Sequence, residues 1–175
     1  LRRVVGSGFV EIWGPIDEQP RDEKAYARYK NLLSSDGAKT PDLSNGRNLF
    51  MRTCGSCHKM YGQGGQIGPD LTGSNRSNTD YLLFNILNPS EEIQDDYKMV
   101  VVTTRDGRTY SGNIVGENQR QITMRVVGQN DVVISKSSIQ SKEVTPVSMM
   151  PQGLLNNLTD KETIDLLSYL QKANK

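Results

Sequence analysis

The sequence has few residues that bind transition metals and few that fill a core. Its 175 residues include two cysteines and one histidine, and aromatic residues make up 6% of the chain. A zinc site normally uses four protein ligands, or three and a water, of cysteine, histidine or carboxylate type, and this chain has too few to favour one. Hydrophobic residues make up 35%, a modest supply for a core. A large apolar cofactor would add to that core if it were buried there.

Charge and hydropathy exclude further classes of function. The chain carries 21 basic and 20 acidic residues, and this balance gives no support for a nucleic-acid partner, which would need a basic excess on one face. No run approaches the roughly 18 apolar residues of a membrane span, and no signal peptide is visible. The chain opens at Leu1 rather than Met, so we expect a processed chain or a piece of a longer one. Its location is therefore not decided by the missing targeting segment.

The two cysteines and the histidine lie within five residues, as Cys54-Gly-Ser-Cys57-His58. This is the C-x-x-C-H pattern of covalent haem attachment, in which each thiol adds to one haem vinyl group and the imidazole faces the iron. A thioredoxin-like dithiol would follow a buried strand, whereas Ser44–Thr53 predicts a helix. A disulfide between the cysteines would leave His58 unexplained. The sequence therefore predicts one covalently bound haem c, with His58 as an axial ligand.

Capping and periodicity predict a mainly helical frame around this motif. The predicted helices are Pro20–Leu33 (with proline at its start), Ser44–Arg52 (opened by Ser44 as its cap), Thr79–Asn88 before Pro89, and a last one that begins in a capping box at Thr159–Glu162. The last helix has an apolar face of Ile164, Leu167 and Leu170. Ser34–Pro41 is expected to be a linker, Tyr61–Leu71 a glycine-rich loop over the cofactor, and Trp13 a packing anchor.

The order helix, C-x-x-C-H, Gly-Pro-Asp-Leu, helix, Met-Pro, helix resembles the class I cytochrome c fold. More narrowly, the stretch from Asp42 to the C-terminus resembles a haem-binding cytochrome domain known from planctomycete proteins, where it commonly forms the C-terminal end of large predicted periplasmic dehydrogenases. The segments that carry this resemblance are Gly46–Phe50, Gly68–Arg76, Asp80–Leu83 and Ser148–Leu155. The resemblance implies that the Pro69 carbonyl accepts a hydrogen bond from the His58 ring nitrogen that does not bind the iron. It also implies that Gly46 and Phe50 lie where the first and last helices cross, with Tyr169 as the aromatic partner.

A β-rich segment separates the short helix from the Met-Pro motif. Turn residues divide it into predicted strands at Tyr97–Thr104, Thr109–Glu117, Gln121–Val127 and Asp131–Ser135. We therefore expect an α+β fold, with a helical class I cytochrome c core and an inserted antiparallel β-module that resembles an Sm-like or SH3-like meander. The expected units are a helical extension and linker over 1–41, the core over 42–97 with 148–175, and the module over 98–147. The module either covers the haem edge and stiffens the ligand loop, or docks a partner.

The sixth iron ligand is the remaining chemical question. With one histidine, bis-histidine ligation within the chain is excluded. Among the methionines, Met51 and Met60 are too near the attachment site to reach the opposite haem face, and Met99 and Met124 fall in predicted strands. Met149 and Met150 precede the last helix, where class I cytochromes place their thioether, and the family's Met-Pro form favours Met150. A vacant position or a lysine also stays open.

A His/Met haem leaves no open site for substrate and carries single electrons, so we expect an electron-transfer protein or domain rather than an enzyme. The expected donor is a redox protein or dehydrogenase domain, and the expected acceptor is another cytochrome or an oxidase. Because haem c is attached outside the cytoplasm, we expect a periplasmic or otherwise exported protein. Two alternatives remain: a five-coordinate haem that binds diatomic gases or reacts with peroxide, and a docking module with haem as structural filler.

Overall fold

The computed structural model describes residues 22–172, which form four α-helices and seven strands. The helices are α1 (Glu23–Leu33), α2 (Leu43–Thr53), α3 (Thr79–Leu87) and α4 (Asp160–Lys172). The strands are β1 (Lys59–Met60), β2 (Gln63–Gly64), β3 (Lys98–Thr104), β4 (Thr109–Glu117), β5 (Gln121–Arg125), β6 (Val132–Ser135) and β7 (Ile139–Ser148). This mixture of helix and sheet is compatible with the predicted α+β class. None of the helices described is long and apolar enough to cross a membrane.

Side-chain caps set where the helices begin. The Asp42 carboxylate accepts a hydrogen bond from the Asn45 backbone N–H at 2.9 Å and is the N-cap of α2. The helix therefore starts at Leu43, one residue before Ser44, and the prediction of Ser44 as its cap is wrong. The capping box of α4 is confirmed: Glu162 accepts the Thr159 N–H at 2.9 Å, and the Thr159 hydroxyl accepts the Glu162 N–H at 3.2 Å. Both caps satisfy amide groups that a helix start leaves unpaired.

Helix α1 packs on α3 and α4 and is capped by Asp22, which accepts the Ala25 N–H at 2.9 Å. Its buried residue is Tyr29, at 1% exposure, while Lys30 and Arg28 reach Asp80 of α3 and Asp160 of α4 at 2.7 and 2.8 Å. The extension is therefore part of the helical body from Glu23 onward. The predicted helix start at Pro20 and the packing role of Trp13 lie outside the described residues.

Helices α2 and α4 cross at Gly46. A Cβ built on Gly46 would overlap the backbone carbonyl oxygen of Asp165 and lie 2.6 Å from the Tyr169 Cβ, so the two backbones approach too closely for any side chain. The Phe50 and Tyr169 rings meet on the same side of the crossing, with centroids 5.9 Å apart. The geometry that the family resemblance implied at Gly46, Phe50 and Tyr169 is present.

The crossing also contains a buried carboxylate, Asp165, at 1% exposure. It accepts the Asp42 N–H at 2.8 Å and the Asn45 side-chain amide at 3.0 Å, and it pairs with Lys161 at 2.6 Å. Burial by itself would raise the pKa of Asp165, but the hydrogen bonds from Lys161, Asn45 and Asp42 outweigh it and lower that pKa. Asp165 therefore fastens the start of α2 to the middle of α4.

Burial of α4 is wider than its periodicity predicted. Besides the expected Ile164, Leu167 and Leu170, four more residues are buried: Thr163, Asp165, Leu166 and Ser168. The difference arises because α1, α2 and the 3-10 turn at Asp36–Lys39 all pack against this helix. We call the main apolar cluster the helical core; its buried members are Tyr29, Leu49, Phe50, Met60, Leu82, Leu83, Ile86, Leu155, Leu166, Leu167 and Leu170.

The five longer strands form one antiparallel sheet in the order β6-β5-β4-β3-β7. The first and last strands of the module, β3 and β7, therefore lie side by side. This strand order is consistent with an Sm-like or SH3-like arrangement. Alternating residues of the strands point inward and form a second cluster, the module core, of Val100, Val102, Ile122, Met124 and Ile134. The sheet therefore has an apolar interior of its own.

Strand β7 is not among the strands predicted from the sequence. Ile139–Ser148 pairs with β3, and Pro146 lies within this strand. Proline cannot donate to a ladder, but β7 is at the sheet edge and the pairing with β3 is irregular between Lys98 and Val100, beside Pro146. At the end of β7, the Ser148 N–H donates a hydrogen bond to the Ser90 hydroxyl at 3.0 Å. This contact attaches the end of the strand to the segment that follows α3.

Candidate cofactor site

The C-x-x-C-H motif continues the last turn of α2. The Cys54 N–H donates to the Phe50 carbonyl at 2.8 Å, and the Cys57 and His58 N–H groups donate to the Cys54 carbonyl at 3.1 and 2.9 Å. These bonds gather both thiols and the imidazole into a single turn. That is the local arrangement that a haem attached at two vinyl carbons and ligated by the next residue would need.

The His58 ring is oriented by the segment that follows it. Its Nδ1 lies 2.9 Å from the Pro69 carbonyl oxygen, and because a carbonyl only accepts, Nδ1 carries the proton. The Nε2 lone pair is then the one available to a metal. Gly68 lies flat against the ring: a Cβ there would be 2.5 Å from Cε1 and 2.8 Å from Nδ1. The proximal segment, defined as Gly64–Pro69, thus fixes both the tautomer and the ring plane.

Backbone hydrogen bonds attach the proximal segment to the motif. Gly65 N–H donates to the Gly55 carbonyl at 2.8 Å, and Gly68 N–H donates to the Cys57 carbonyl at 2.9 Å. At its start, Gly64 belongs to β2, which forms with β1 a two-residue antiparallel ladder that the prediction of a glycine-rich loop missed. Ladders this short have no periodicity to detect. The segment is therefore a fixed support for His58.

The environment of Cys54 is apolar. Burial, with a smaller contribution from Cys57, raises the pKa of the Cys54 thiol to about 12. Reactive dithiols of the thioredoxin type have a lowered thiol pKa, so this environment does not suit that chemistry. It does suit a neutral thioether to a vinyl carbon, because Cys54 packs against the helical core.

The methionines are distributed unequally around this site. Met150 packs against the helical core, as Cys54 does, and its N–H donates to the Ser148 hydroxyl at 3.1 Å. Met60 is buried within the helical core, and Met99 and Met124 are buried in the β-sheet at 4% and 0% exposure. Met51 is exposed at 42%. Of the two methionines before α4, Met150 is the one that joins the cluster containing the attachment site.

Arg76 is a residue whose role the sequence analysis missed. Its guanidinium donates to the Leu71 carbonyl at 3.0 Å, to the Leu170 carbonyl of α4 and to the Tyr61 hydroxyl, and it stacks 5.3 Å from the Tyr61 ring centre. Arg76 therefore joins the segment after His58 to the last helix. Its motif Asn75-Arg76 gave no local signal for these contacts, because Leu170 is 94 residues away along the chain.

These residues fit a covalently bound haem. Both thiols flank one turn, His58 has a free Nε2 beside a support shaped to its ring, and Cys54 and Met150 border one apolar cluster. Cys54, Cys57, His58 and Pro69 are brought together directly, whereas Met150 approaches from the segment before α4. Haem iron, when bound, supplies a one-electron redox couple.

Comparison with known families agrees with this fit. Residues 43–123 match the family model Cytochrome c, a stretch that begins with α2, includes the C-x-x-C-H motif and ends within β5. The match supports a c-type cytochrome and implies electron transfer through haem. It does not extend to Met150 or α4. A search of curated proteins finds no match to the chain.

Proposed function

We propose that this chain carries single electrons on one covalent haem c, attached through Cys54 and Cys57 and ligated by His58 and Met150. The observation that supports the proposal is the held imidazole: the Pro69 carbonyl accepts a hydrogen bond from Nδ1 at 2.9 Å, so Nε2 is the ring nitrogen left to bind iron. Such second-shell bonds fix ring orientation and raise the basicity of the ligand.

Met150 is the proposed sixth ligand because it packs against the same apolar cluster as Cys54. Proline at 151 disfavours the helical conformation for Met150, which suits an extended segment that passes over a haem face. A thioether ligand favours reduced iron and raises the reduction potential. A closed, six-coordinate site then serves electron transfer, whereas gas binding or peroxide chemistry would need an open position.

The proposed setting is an exported protein, and the proposed partners are a periplasmic dehydrogenase, or dehydrogenase domain, as donor and another cytochrome or an oxidase as acceptor. The resemblance of Gly68–Arg76 and Ser148–Leu155 to dehydrogenase-linked cytochrome domains supports this setting. The module over 98–147 and the core over 42–97 with 148–175 are proposed as the two units, with 1–41 as a helical extension.

The test of ligation compares Met150→Ala with Met149→Ala. Each variant should keep one haem, seen as added mass under denaturing conditions, because Cys54 and Cys57 are unchanged. Met150→Ala should lose the weak absorption at the red edge of the visible that marks a methionine–iron bond, lower the reduction potential and admit carbon monoxide to the ferrous iron. Met149→Ala should keep the band and exclude carbon monoxide.

Two results would contradict the proposal. Recovery of the wild-type chain without added haem mass, from a host that matures c-type cytochromes, would remove the cofactor. Rapid and complete carbon monoxide binding by the wild-type ferrous protein would remove the Met150 bond and favour the five-coordinate, gas-binding alternative.

A further inference from the structure

One side chain of the β-module reaches the segment that supports His58. Arg125, at the end of β5, donates from its guanidinium to the Gln66 carbonyl at 3.3 Å. The same guanidinium pairs with Asp131 at two points, Nε to Oδ1 at 3.1 Å and a terminal nitrogen to Oδ2 at 3.2 Å. A two-point pair with a carboxylate holds an arginine in one plane, so its direction toward Gln66 is set by the module.

The backbone at Arg125 is held by its neighbours in the sheet. Arg125 is the ladder partner of Asn113 in β4, and Asn113 is buried at 3% exposure with its side-chain amide 3.4 Å from the Asp96 carbonyl. Asp96 belongs to the 3-10 turn that leads from the helical part into β3. The backbone under Arg125 is therefore held both by the sheet and by the point where the module joins the helical part.

The other end of the contact lies two residues from the His58 ring support. Gln66 is followed by Ile67, buried at 8% exposure, then by Gly68 against the ring and Pro69 on Nδ1. Around Arg125, an open cleft of about 870 Å³ lies between this segment and the β5–β6 turn, bordered by Ser56, Gly65, Gln129 and Asn130. Arg125 thus spans a gap rather than lying within a continuous packed interface.

We infer that Arg125, oriented by Asp131, is a positioning residue through which the β-module holds the proximal segment against His58 and so tunes the haem iron. The inference rests on the proposed function, since it concerns the ligand of that haem. It gives the module a role that a minimal cytochrome does not need. A firmly held Pro69 carbonyl keeps the His58 ring electron-rich, which favours ferric iron.

The test uses the haem-loaded protein with Arg125→Ala and Asp131→Asn, and Arg108→Ala as the matched control. Arg108 also belongs to the module and also pairs with an aspartate, Asp106, at 3.1 Å, but in the β3–β4 turn. The readouts are the exchange rates of the His58 Nδ1 proton and the Gly68 amide proton by nuclear magnetic resonance, and the midpoint potential. A purely stabilising contact would leave the folded-state potential unchanged.

Arg125→Ala should speed exchange of both protons about tenfold, because the proximal segment loses the free energy of roughly one hydrogen bond. The same substitution should raise the midpoint potential. Asp131→Asn should act in the same direction with a smaller change, because the guanidinium remains but is no longer held at two points. Arg108→Ala should match the wild type in all three readouts. Asp131→Asn also provides the answer if Arg125→Ala does not fold.

The inference is overturned if the Arg125 and Asp131 variants match the wild type, or if Arg108→Ala changes the readouts equally. A lower potential would overturn it as well, since added solvent at the haem would then outweigh any change at His58. Added haem mass and the red-edge band are recorded on the same samples. A failure of the proposed function would therefore show in the wild type, whereas a failure of this inference shows only between variants.

Discussion

The two apolar clusters of this protein are built differently. The module core consists of alternating strand residues, from Val100 to Ile134, and contains none of the residues proposed to bind the cofactor. The helical core is bordered by Cys54 and Met150, and its member Met60 follows His58 by two residues. Packing and proposed cofactor binding therefore share residues in the helical part, whereas the residues of the module core serve packing alone. Substitutions in the two regions should have correspondingly different effects on the haem.

The largest effect is expected at Gly68. In Gly68→Ala the new methyl group would start 2.5 Å from His58 Cε1, so either the ring or the proximal segment must move. We expect most of the protein to lose its six-coordinate haem spectrum while the haem mass is retained, because the thioethers do not depend on the ring.

The same substitution in the module is the control for Gly68→Ala. A Cβ on Gly116 would lie 3.5 Å from Thr123, an ordinary contact, so Gly116→Ala should keep the wild-type spectrum. An unchanged spectrum in Gly68→Ala would contradict this prediction, because the proximal segment would then be flexible enough to move despite its backbone hydrogen bonds.

A smaller effect, on stability alone, is expected from Met124→Ala. Met124 is fully buried in the module core, and removing such a side chain typically costs about 2–5 kcal/mol. Chemical denaturation followed by circular dichroism should show the loss, while the red-edge haem band of the folded protein stays at wild-type strength. If the band weakened in step with the sheet signal, the two clusters would have to be one cooperative unit.

Asp165→Asn should cost about 1–3 kcal/mol, because the substitution weakens bonds to a buried group at the α2–α4 crossing. Since folding lowers the pKa of Asp165, its contribution is present above the unfolded value of about 3.9 and is lost as pH falls through the folded value. Wild-type stability should therefore drop below about pH 4, and Asp165→Asn should lack that part of the drop.

Asp160→Asn is the control for Asp165→Asn. Asp160 lies in the same helix and also pairs with a cation, Arg28, but its side chain is 64% exposed. Exposed pairs contribute little, so this change should stay within about 0.5 kcal/mol. Equal losses in the two variants would mean that burial of Asp165 adds nothing to its hydrogen bonds.

The predicted strands agree closely with the observed ones where alternation was clear. Thr109–Glu117 has identical bounds, and the predicted Tyr97–Thr104 begins one residue before β3. Strand β5 ends at Arg125 rather than Val127. Strand β7 was missed because the polar run from Gln140 to Glu143 lacks alternation and Pro146 argues against a strand. An edge strand pairs on one side only, so its composition is less constrained.

By itself, the sequence determined the C-x-x-C-H motif, the capping box of α4 and the alternating strands, because each depends on residues a few positions apart. Only the tertiary structure decided that Gly68 lies on the His58 ring and that Asp165 holds the start of α2. It also decided that Arg76 donates a hydrogen bond to the Leu170 carbonyl of α4 and that Arg125 donates one to the Gln66 carbonyl. Each of these depends on chain segments meeting at a particular angle. Local periodicity and propensity do not encode such an angle, since it is set by how whole helices and strands pack.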